Sequence, residues 1–296
     1  MQAFDRDITT GITGHTSLYC IIGMPAHHSL SPTIQNAAFK KHGIDAIFTA
    51  FDVPKEQLKN AVYGQIAFGI KGIVLTSPHK QAVMKYIDKI DKMALELGAV
   101  NTIINKNGTL YGYNTDEPGA VNAIKKYGLE RNAKYSIFGA GGAARAIAFG
   151  LAHEGVKDFS IINRTATHAT ELVRSLKKRF GKISVRSFEL GARESISALK
   201  DSEYIINATN ITLENKKFSP VDKGVLKSDM VIFDANYAPL DNKLISDAKA
   251  KGCTTINGLE LLVYNQAVAF KLFTGQEADY DTMMDAALRE LKKRKK

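Results

Sequence analysis

The stretch YSIFGAGGAARAIAFGLAHEG, residues 135 to 155, decides the fold. It starts with a short apolar run, Tyr135 to Phe138, and continues into a turn that contains Gly139, Gly141 and Gly142. A helical pattern then extends through Ala152. A strand, a glycine turn and a helix in this order open one half of a doubly wound α/β domain. The stretch therefore predicts a mostly parallel sheet with a ligand site at the turn.

The residues of this turn suit a dinucleotide. Gly139 permits the tight turn, and Gly141 lets the backbone approach a pyrophosphate. Ala144 is small enough for the helix to pack on the strand, and the helix N-terminus offers N–H groups and a positive dipole to phosphates. We therefore interpret the turn as a dinucleotide site rather than a simple tight turn, with contacts from Gly139, Ala140, Gly141, Gly142 and Ala143.

The end of the next strand selects the cofactor. An NAD site normally presents Asp or Glu there to the ribose 2′-OH, whereas an NADP site has groups that bind a 2′-phosphate. This chain has Asn163, Arg164 and Thr165 at that point, and the guanidinium of Arg164 is a permanent charge suited to phosphate. The sequence thus predicts NADP (NADPH), with His168 as a further contact. The alternatives are that Arg164 is a surface cation and that His168 faces water.

Strands and helices alternate on both sides of this stretch. Further strands are predicted at 158–165, 183–187, 204–207 and 230–234, with a helix at 166–180, which indicates helices on both faces of a parallel sheet. A separate α/β unit is predicted earlier, with strands at 17–22, 46–52 and 72–76 and helices at 32–42 and 55–68. Helical segments after residue 258 are expected to pack on that first unit. The predicted domains are 1–117, completed by 258–296, and 118–257.

Composition and charge exclude several classes of protein. The 296 residues are 45% hydrophobic without a membrane-length apolar run, and MQAFDRDITTGITGHT at the start lacks a signal-peptide pattern, so a cytoplasmic protein is predicted. The tail RELKKRKK, residues 289 to 296, supplies half of the +10 net charge and is interpreted as a solvated helix end. No nucleic-acid partner, membrane partner or metal site is predicted. Cys20 and Cys253 are predicted to be buried reduced thiols.

Several motifs in fixed order make the chain similar to the shikimate dehydrogenase family. They are SLSP at 29–32, TSPHK at 76–80, GAVNT at 98–102, NTD at 114–116, GAGGAARA at 139–146, NRT at 163–165, NAT at 207–209 and GLELLVYNQAVAFKLFTG from Gly258. The resemblance covers nearly the whole chain. It implies an N-terminal substrate-binding domain and a Rossmann NADP-binding domain. The implied reaction is the NADPH-dependent reduction of 3-dehydroshikimate to shikimate, on the route to chorismate and the aromatic amino acids.

The chemistry of that reaction accounts for the residue types in GIVLTSPHKQ, residues 72 to 81. Hydride transfer to a carbonyl leaves negative charge on oxygen, which a positioned proton donor or cation stabilises. Lys80 fits this requirement, because its ammonium group is both a cation and a proton donor. The apolar run Ile73 to Leu75 predicts a buried strand that holds the lysine in place. The resemblance implies that the carboxylate of Asp116 fixes the lysine in the cleft between the domains. Whether Lys80 transfers the proton or acts as an electrostatic clamp stays open, and His79 is interpreted as structural.

The resemblance implies further contacts to substrate and cofactor. Ser29 and Ser31 are expected to bind the substrate carboxylate, and the hydroxyls are expected to contact Thr76, Lys80, Asn101, Asp116 and Gln266. The two serines also suit a helix cap before Pro32, and capping is compatible with binding for Ser31. Additional cofactor contacts are expected from Ala208, Tyr237 and Gly258.

Three departures from the family pattern limit this transfer. Val74-Leu75 stands where Asn-Val is usual, which removes a buried polar side chain, and Glu117 stands where glycine often follows NTD, near the predicted hinge. The family glutamine corresponds to Asn265 when the helix is aligned through a later phenylalanine, and to Gln266 by residue type. Successive helical residues point about 100° apart, so both cannot face one hydroxyl. We choose Gln266.

Three other functions stay open from the sequence. A quinate/shikimate dehydrogenase that uses NAD or NADP is the nearest. A regulatory paralogue without catalysis is disfavoured, because the chain retains both Lys80 and Asp116. Nucleic-acid binding by the tail predicts that deletion of residues 292–296 abolishes function, whereas an enzyme would keep its turnover. A homodimeric assembly also stays open.

Overall fold

The computed structural model describes residues 11–215 and 217–294. The chain divides into a first unit, residues 1–115 and 266–296, and a second unit, residues 116–265. The sequence prediction placed these boundaries after residues 117 and 257. Residues 1–10, which belong to the stretch interpreted as lacking a signal peptide, and Lys295 and Lys296 of the basic tail lie outside the described residues.

The first unit is built on a mixed sheet. Its strands, among the described residues, are β1 (Ser17–Gly23), β2 (Ala46–Asp52), β3 (Gly72–Leu75), β4 (Lys89–Ile90), β5 (Thr102–Lys106) and β6 (Thr109–Tyr113). They lie in the order β2-β1-β3-β5-β6-β4. β1 pairs parallel with β2 and β3, whereas β5 pairs antiparallel with β3 and β6. The connecting helices are α1 (Ser31–Lys41), α2 (Leu58–Ala67), α3 (Lys92–Leu97) and the short 3-10 helices Lys55–Gln57 and Ala82–Tyr86.

The sequence predicts a strand that ends before Asp116, which is β6, but it does not predict β5 or the turn that joins the two strands into a hairpin. Lys106 pairs with Thr109, so Asn107 and Gly108 form a two-residue turn between the strands. Both turn residues have positive φ, 54° and 87°, as the favoured hairpin turns require. The Asn-Gly pair was the local signal that identifies this hairpin.

β3 is the buried strand predicted before the TSPHK motif. Ile73 and Leu75 are each 1% exposed and belong to the core of the first unit. Val74, where the family pattern has an asparagine, is 4% exposed and pairs with Ile21 of β1 and Thr102 of β5. Burial of each such side chain stabilises the fold by roughly 1.5–3 kcal/mol. The strand is therefore held on both edges and both faces up to the residue where the polar loop begins.

The second unit is the predicted parallel sheet. Its strands are β7 (Lys134–Phe138), β8 (Asp158–Asn163), β9 (Ser184–Glu189), β10 (Tyr204–Asn207), β11 (Val231–Asp234) and β12 (Thr254–Asn257), in the order β12-β11-β10-β7-β8-β9. All neighbours pair parallel. The helices are α4 (Asp116–Lys125), α5 (Gly142–His153), α6 (Ala166–Phe180), α7 (Arg193–Lys200), α8 (Ile211–Glu214) and α9 (Lys243–Ala250). The strand order reverses between β7 and β10, where a doubly wound sheet binds its ligand.

Two C-terminal helices complete the chain, α10 (Gly258–Thr274) and α11 (Tyr280–Lys293). The boundary between the units falls within α10, after Asn265. α11 belongs to the first unit and packs against α1. The predicted return of the chain to its first unit is therefore made by α11 and the C-terminal part of α10.

Both cysteines are buried and unpaired, as predicted. Burial raises the pKa of the Cys20 thiol to about 12, so this group is neutral at physiological pH. Within residues 11–215 and 217–294, none of the helices has the length and apolar character needed to cross a bilayer.

Candidate functional site

The glycine turn after β7 has the conformation that its sequence predicts. Gly139 adopts φ +108°, a region that L side chains rarely enter, and its amide donates to the Ile162 carbonyl at 2.8 Å. A Cβ at this position would lie 3.1 Å from the carbonyl oxygen of Ala208 and 3.1 Å from Cγ2 of Thr209. Glycine at residue 139 thus lets the turn after β7 lie directly against the turn after β10.

The next glycines face open space. Gly141 is the N-cap of α5, with φ −80° and ψ −169°, and no described side chain caps the helix there. A Cβ on Gly141 or Gly142 would have no atom within 4 Å, and Ala143 beside them is exposed. Ala144, in contrast, is fully buried against the sheet. The N-terminus of α5 therefore presents accessible backbone N–H groups, which fits the pyrophosphate of a dinucleotide.

The end of β8 carries the residues predicted to select NADP. Asn163 is half-buried, and its Nδ2 donates to the Thr165 carbonyl at 2.9 Å, which shapes the turn into α6. Arg164, Thr165 and His168 are exposed at the start of that helix, and no described side chain caps it. This arrangement leaves a guanidinium and a helix N-terminus available to one phosphate group.

A cavity of about 270 Å³ lies beside these residues. Its lining comes from the ends of β7, β8 and β9 and from the segment after β10: Phe138, Ile162, Asn163, Arg164, Leu190, Thr209, Asn210, Ile211 and Pro220. The lining combines apolar side chains, such as those of Phe138, Ile162 and Leu190, with the polar residues Asn163 and Arg164. A planar base with an attached phosphate-bearing ribose fits this combination, so the residues of the second unit fit NADP.

A buried polar network holds the segments that follow β10 and β11. The carboxylate of Asp234, which is fully buried, accepts hydrogen bonds from Nδ2 of Asn207 at 3.1 Å and from Nδ2 of Asn242 at 2.9 Å. It also accepts from the backbone N and from Nδ2 of Asn236, both at 2.9 Å. Burial raises the pKa of Asp234, and the hydrogen bonds from Asn236 and its other neighbours oppose that rise. This network fixes the turns that carry Ala208 and Tyr237.

Gly258 begins α10 at a crowded point. A Cβ there would lie 2.2 Å from the carbonyl oxygen of Ala235 and 2.5 Å from the carbonyl carbon of Asn236. The backbone of the α10 N-terminus therefore passes directly against the turn after β11, which carries Tyr237. The structure brings together Gly139 and Ala208 at one turn, and Gly258 with the segment before Tyr237 at another.

The TSPHK loop of the first unit is tied to the GAVNT loop by backbone bonds. Leu75 N donates to the Asn101 carbonyl at 2.7 Å, and Val100 N donates to the Lys80 carbonyl at 2.8 Å. His79 is fully buried and lies 2.7 Å through Nε2 from the Val53 carbonyl, so it supports the loop as interpreted. Lys80 is half-buried. The hydrogen bonds at Leu75 and Lys80 thus hold the backbone at both ends of the TSPHK motif.

Asn101 is oriented by its own carbonyl oxygen. The side-chain Oδ1 accepts from the backbone N of Thr115 at 2.8 Å and from the hydroxyls of Thr102 and Thr115 at 3.1 and 3.2 Å. With the oxygen occupied, its Nδ2 is the donor that remains for a ligand, and no described residue accepts from it. Asn101 can therefore donate to a substrate hydroxyl, while it also fixes the segment directly before Asp116.

Ser29 and Ser31 lie together at the start of α1. Ser29 Oγ accepts from the backbone N of Ser31 at 3.1 Å and donates to Ser31 Oγ at 3.1 Å. Ser31 is 1% exposed, whereas Ser29 is half-buried. The N-cap residue is Leu30, so the side chain that satisfies the helix start belongs to Ser29. The alternative that Ser31 caps the helix is therefore wrong, because Ser31 is the first residue of α1 and not its N-cap.

Asp52, at the end of β2, holds the loop before these serines. Its Oδ1 accepts from the backbone N of Ala26 at 2.5 Å and of His27 at 3.0 Å, and its Oδ2 lies 2.8 Å from Nδ1 of His27. These hydrogen bonds, that from Ala26 foremost, lower the pKa of Asp52 to about 2. No sequence motif marks this residue, because its partners lie 25 and 26 residues away in the chain.

Asp116 and the two candidate amides of α10 have different partners. Asp116 is the first residue of α4, where the helix dipole favours a carboxylate. Asn265 Nδ2 donates to Asp116 Oδ1 at 2.6 Å. Gln266 belongs to the first unit, and its Oε1 accepts from Nε2 of Gln35 at 3.0 Å. The assignment of Gln266 as the substrate ligand stays a prediction, and Asn265 is the amide that contacts the predicted catalytic carboxylate.

Glu117 packs inside the second unit. A Cβ on Gly150 of α5 would lie 3.0 Å from Cγ and 3.1 Å from Oε1 of Glu117. The glutamate therefore rests on a glycine of the neighbouring helix, and α4 packs on α5. The absence of a side chain at residue 150 provides the space for the larger residue at 117.

Models of two protein families match the chain. The shikimate dehydrogenase substrate binding domain matches residues 21–103, and the shikimate / quinate 5-dehydrogenase family matches residues 122–235. The shikimate dehydrogenase (NADP(+)) of Methanopyrus kandleri is 38% identical over 96% of this chain and 99% of its own length. That of Bacillus cytotoxicus is 40% identical over 93% and 98%.

Solved structures agree with these matches. A shikimate dehydrogenase crystallised with NADP+ superposes with a TM-score of 0.86 at 40% identity, covering 94% of this chain and 97% of the other. Shikimate 5-dehydrogenase from Listeria monocytogenes, in complex with shikimate and NAD, superposes with a TM-score of 0.87 at 34% identity, covering 93% and 97%. The chain therefore belongs to the shikimate dehydrogenase family.

Proposed function

We propose that this chain is an NADP-dependent shikimate dehydrogenase that reversibly reduces 3-dehydroshikimate to shikimate. Identity of 38 to 40% over more than nine tenths of the chain supports the activity. The observation that carries the cofactor assignment is the cavity at the end of β8, whose lining includes Asn163 and Arg164 and, among the described residues, no carboxylate. An acidic residue at this point would repel a 2′-phosphate, whereas a guanidinium binds it.

Three groups of residues supply the cofactor contacts in this proposal. The turn of Gly139, Ala140, Gly141, Gly142 and Ala143 faces the pyrophosphate, and Asn163, Arg164, Thr165 and His168 face the ribose phosphate. The remaining contacts come from Ala208, Tyr237 and Gly258. Support comes from the open space at Gly141 and Gly142 and from the exposure of Arg164, Thr165 and His168. Bound NADPH supplies the hydride.

The substrate residues of the first unit have complementary roles. Lys80 stabilises the negative charge that develops on the carbonyl oxygen, since an ammonium group is both a cation and a donor. Asn101 donates from Nδ2 to a ring hydroxyl. Thr76, the first residue of the TSPHK loop, also contacts a ring hydroxyl. Ser29 and Ser31 donate hydroxyls to the substrate carboxylate. Gln266 donates from its amide nitrogen, because its Oε1 already accepts from Gln35.

Asp116 supplies a carboxylate that accepts a hydrogen bond from a substrate hydroxyl. Two asparagines from different parts of the chain support its orientation. Asn101 holds the backbone of Thr115 directly before it, and Asn265 holds its Oδ1. A carboxylate fixed in this way keeps its acceptor geometry when the substrate arrives.

Turnover tests the proposal and separates it from the quinate alternative. The purified chain would be assayed with shikimate and with quinate, each with NADP+ and with NAD+. We expect the highest kcat/KM for shikimate with NADP+. A higher value for quinate, or for NAD+, would replace this assignment with a quinate/shikimate dehydrogenase, and absence of turnover for all four pairs would favour a regulatory paralogue. Homodimer formation and a cytoplasmic location stay predictions.

A further inference from the structure

The C-terminal end of α11 contacts the loop that carries the two serines. Nη1 of Arg294 donates to the His28 carbonyl at 2.6 Å, and Nη2 lies 3.5 Å from the Ser29 carbonyl oxygen. Nε of the same side chain donates to Oε1 of Glu290 at 2.9 Å, one helical turn earlier. Arg294 belongs to the basic tail that the sequence suggested was only solvated. The structure gives this one cation a defined set of partners.

Two charged side chains hold this loop from opposite ends. Asp52 accepts from the backbone N–H groups of Ala26 and His27, and Arg294 donates to the carbonyls of His28 and Ser29. Ala26 and Leu30 are fully buried, whereas His27 and His28 between them are exposed. The exposed histidine side chains add little packing to the peptides between these two anchors, and the hydrogen bonds from Asp52 and Arg294 hold those peptides.

We propose that Arg294 is a positioning residue that holds Ser29 and Ser31 in the orientation required to bind the substrate carboxylate. The proposal rests on the proposed function, because it takes the serines as carboxylate ligands. The Ser29 carbonyl and the Ser29 hydroxyl belong to one residue, and that hydroxyl also bonds Ser31 N and Oγ. Movement of the peptide at residues 28 and 29 therefore displaces both hydroxyls together.

The guanidinium geometry is essential to this role. A planar fork donates to two neighbouring carbonyls while its third nitrogen bonds a carboxylate, whereas a lysine ammonium is a single flexible point charge. Long-range attraction of an anionic substrate is a different effect, because any cation of the tail contributes equally to it. Lys293, the preceding residue, is exposed and forms none of the hydrogen bonds of Arg294. It is therefore the matched control.

The test compares Arg294→Met with Lys293→Met in the full chain, since both changes remove one positive charge. We expect Arg294→Met to raise the KM for shikimate roughly three- to tenfold, the range that loss of one or two such hydrogen bonds gives. The kcat and the Kd for NADP+ should change less than about twofold. Lys293→Met should leave all three unchanged. Arg294→Lys should give a KM for shikimate between those of Arg294→Met and the unmodified chain.

Amide exchange of the peptide that covers residues 26–31 gives a readout that needs no activity. Faster exchange in Arg294→Met but not in Lys293→Met is expected. Unchanged exchange, an equal rise of KM in both variants, or an unchanged KM in Arg294→Met would each overturn the proposal. If the unmodified chain fails to turn over shikimate, the proposed function fails instead, and the exchange comparison still decides whether Arg294 holds the loop.

Discussion

Nδ2 of Asn265 donates a hydrogen bond to Oδ1 of Asp116 over 2.6 Å, so an amide of α10 fixes the first carboxylate of α4. The two helices approach closely at this point, because a Cβ on Gly119 would lie 2.9 Å from the backbone N of Asn265. Asn265 is 7% exposed and has little freedom to move. Its side chain therefore orients Asp116 from a rigid position.

Replacement of Asn265 by Leu, which has a similar volume, should lower kcat/KM for shikimate about tenfold or more. The reason is that Asp116 loses the donor that orients its carboxylate. The Kd for NADP+ should stay within about twofold, and steady-state kinetics with a binding titration measures both. Lys271→Ala, an exposed change on the same helix, is the control. A kcat/KM equal to that of the unmodified enzyme would show that Asp116 needs no such support.

The Gln35–Gln266 pair gives a test of the predicted substrate amide. Both side chains are buried, and Nε2 of Gln35 donates to Oε1 of Gln266 at 3.0 Å and to its backbone carbonyl at 2.9 Å. Gln35→Met should lower the free energy of unfolding by about 1–3 kcal/mol, because acceptors on Gln266 lose their donor. Denaturant unfolding measures this change.

The double variant Gln35→Met with Gln266→Met separates stability from binding. It should regain part of the lost stability, since the side chains at 35 and 266 are then both apolar, although the backbone carbonyl of residue 266 still lacks the Gln35 donor. Its KM for shikimate should be about tenfold higher than that of the unmodified enzyme, since the amide donor of Gln266 is gone. A stable double variant with the KM of the unmodified enzyme would exclude Gln266 as a ligand and leave Asn265 in its place.

Lys80 should affect the rate more than binding. Lys80→Ala is expected to lower kcat by about 10²- to 10⁴-fold, because an ammonium group that stabilises developing charge interacts most strongly in the transition state. The KM for shikimate should change far less. Lys85→Ala, an exposed lysine in the following 3-10 helix, is the control and should keep its kcat. Lost binding with a retained kcat would contradict the catalytic role.

Arg164 should distinguish the two cofactors. Arg164→Ala is expected to raise the KM for NADP+ roughly 10- to 100-fold, which corresponds to one charge-assisted hydrogen bond. The KM for NAD+ should stay within about twofold, because NAD+ has no 2′-phosphate. Arg174→Ala removes an exposed cation of the same helix and should change neither value. Equal losses for both cofactors after Arg164→Ala would refute the 2′-phosphate contact.

The nucleotide-binding unit was predictable because its signals are local. The run Tyr135–Phe138, the glycines after it and the helix through Ala152 lie within one short stretch, and the structure has β7 and α5 there. The hairpin of β5 and β6 carries an equally local signal in Asn107-Gly108, although it departs from the alternation of strands and helices. Local backbone requirements thus decided most of the fold.

The contacts that orient the site were harder to predict from the sequence, because tertiary packing creates them. Asn265 and Asp116 are 149 residues apart, and Asp52 and Ala26 are 26 residues apart. Arg294 and His28 are separated by 266 residues. No periodicity or motif spacing reports such pairs. The sequence identified the groups with reactive chemistry, and the structure identified the residues that hold them.

Acid should release the loop before Ser29 through Asp52. The folded pKa of Asp52, about 2, lies below the ordinary value of 3.8, because Ala26 and His27 donate hydrogen bonds to its carboxylate. A lowered folded pKa gives stability that is present above about pH 4 and is lost as the pH falls through 4 towards 2. The melting-temperature difference between the unmodified chain and Asp52→Asn should therefore shrink over that interval. A difference that stays constant from pH 6 to pH 2 would show that the carboxylate charge has no part in holding this loop.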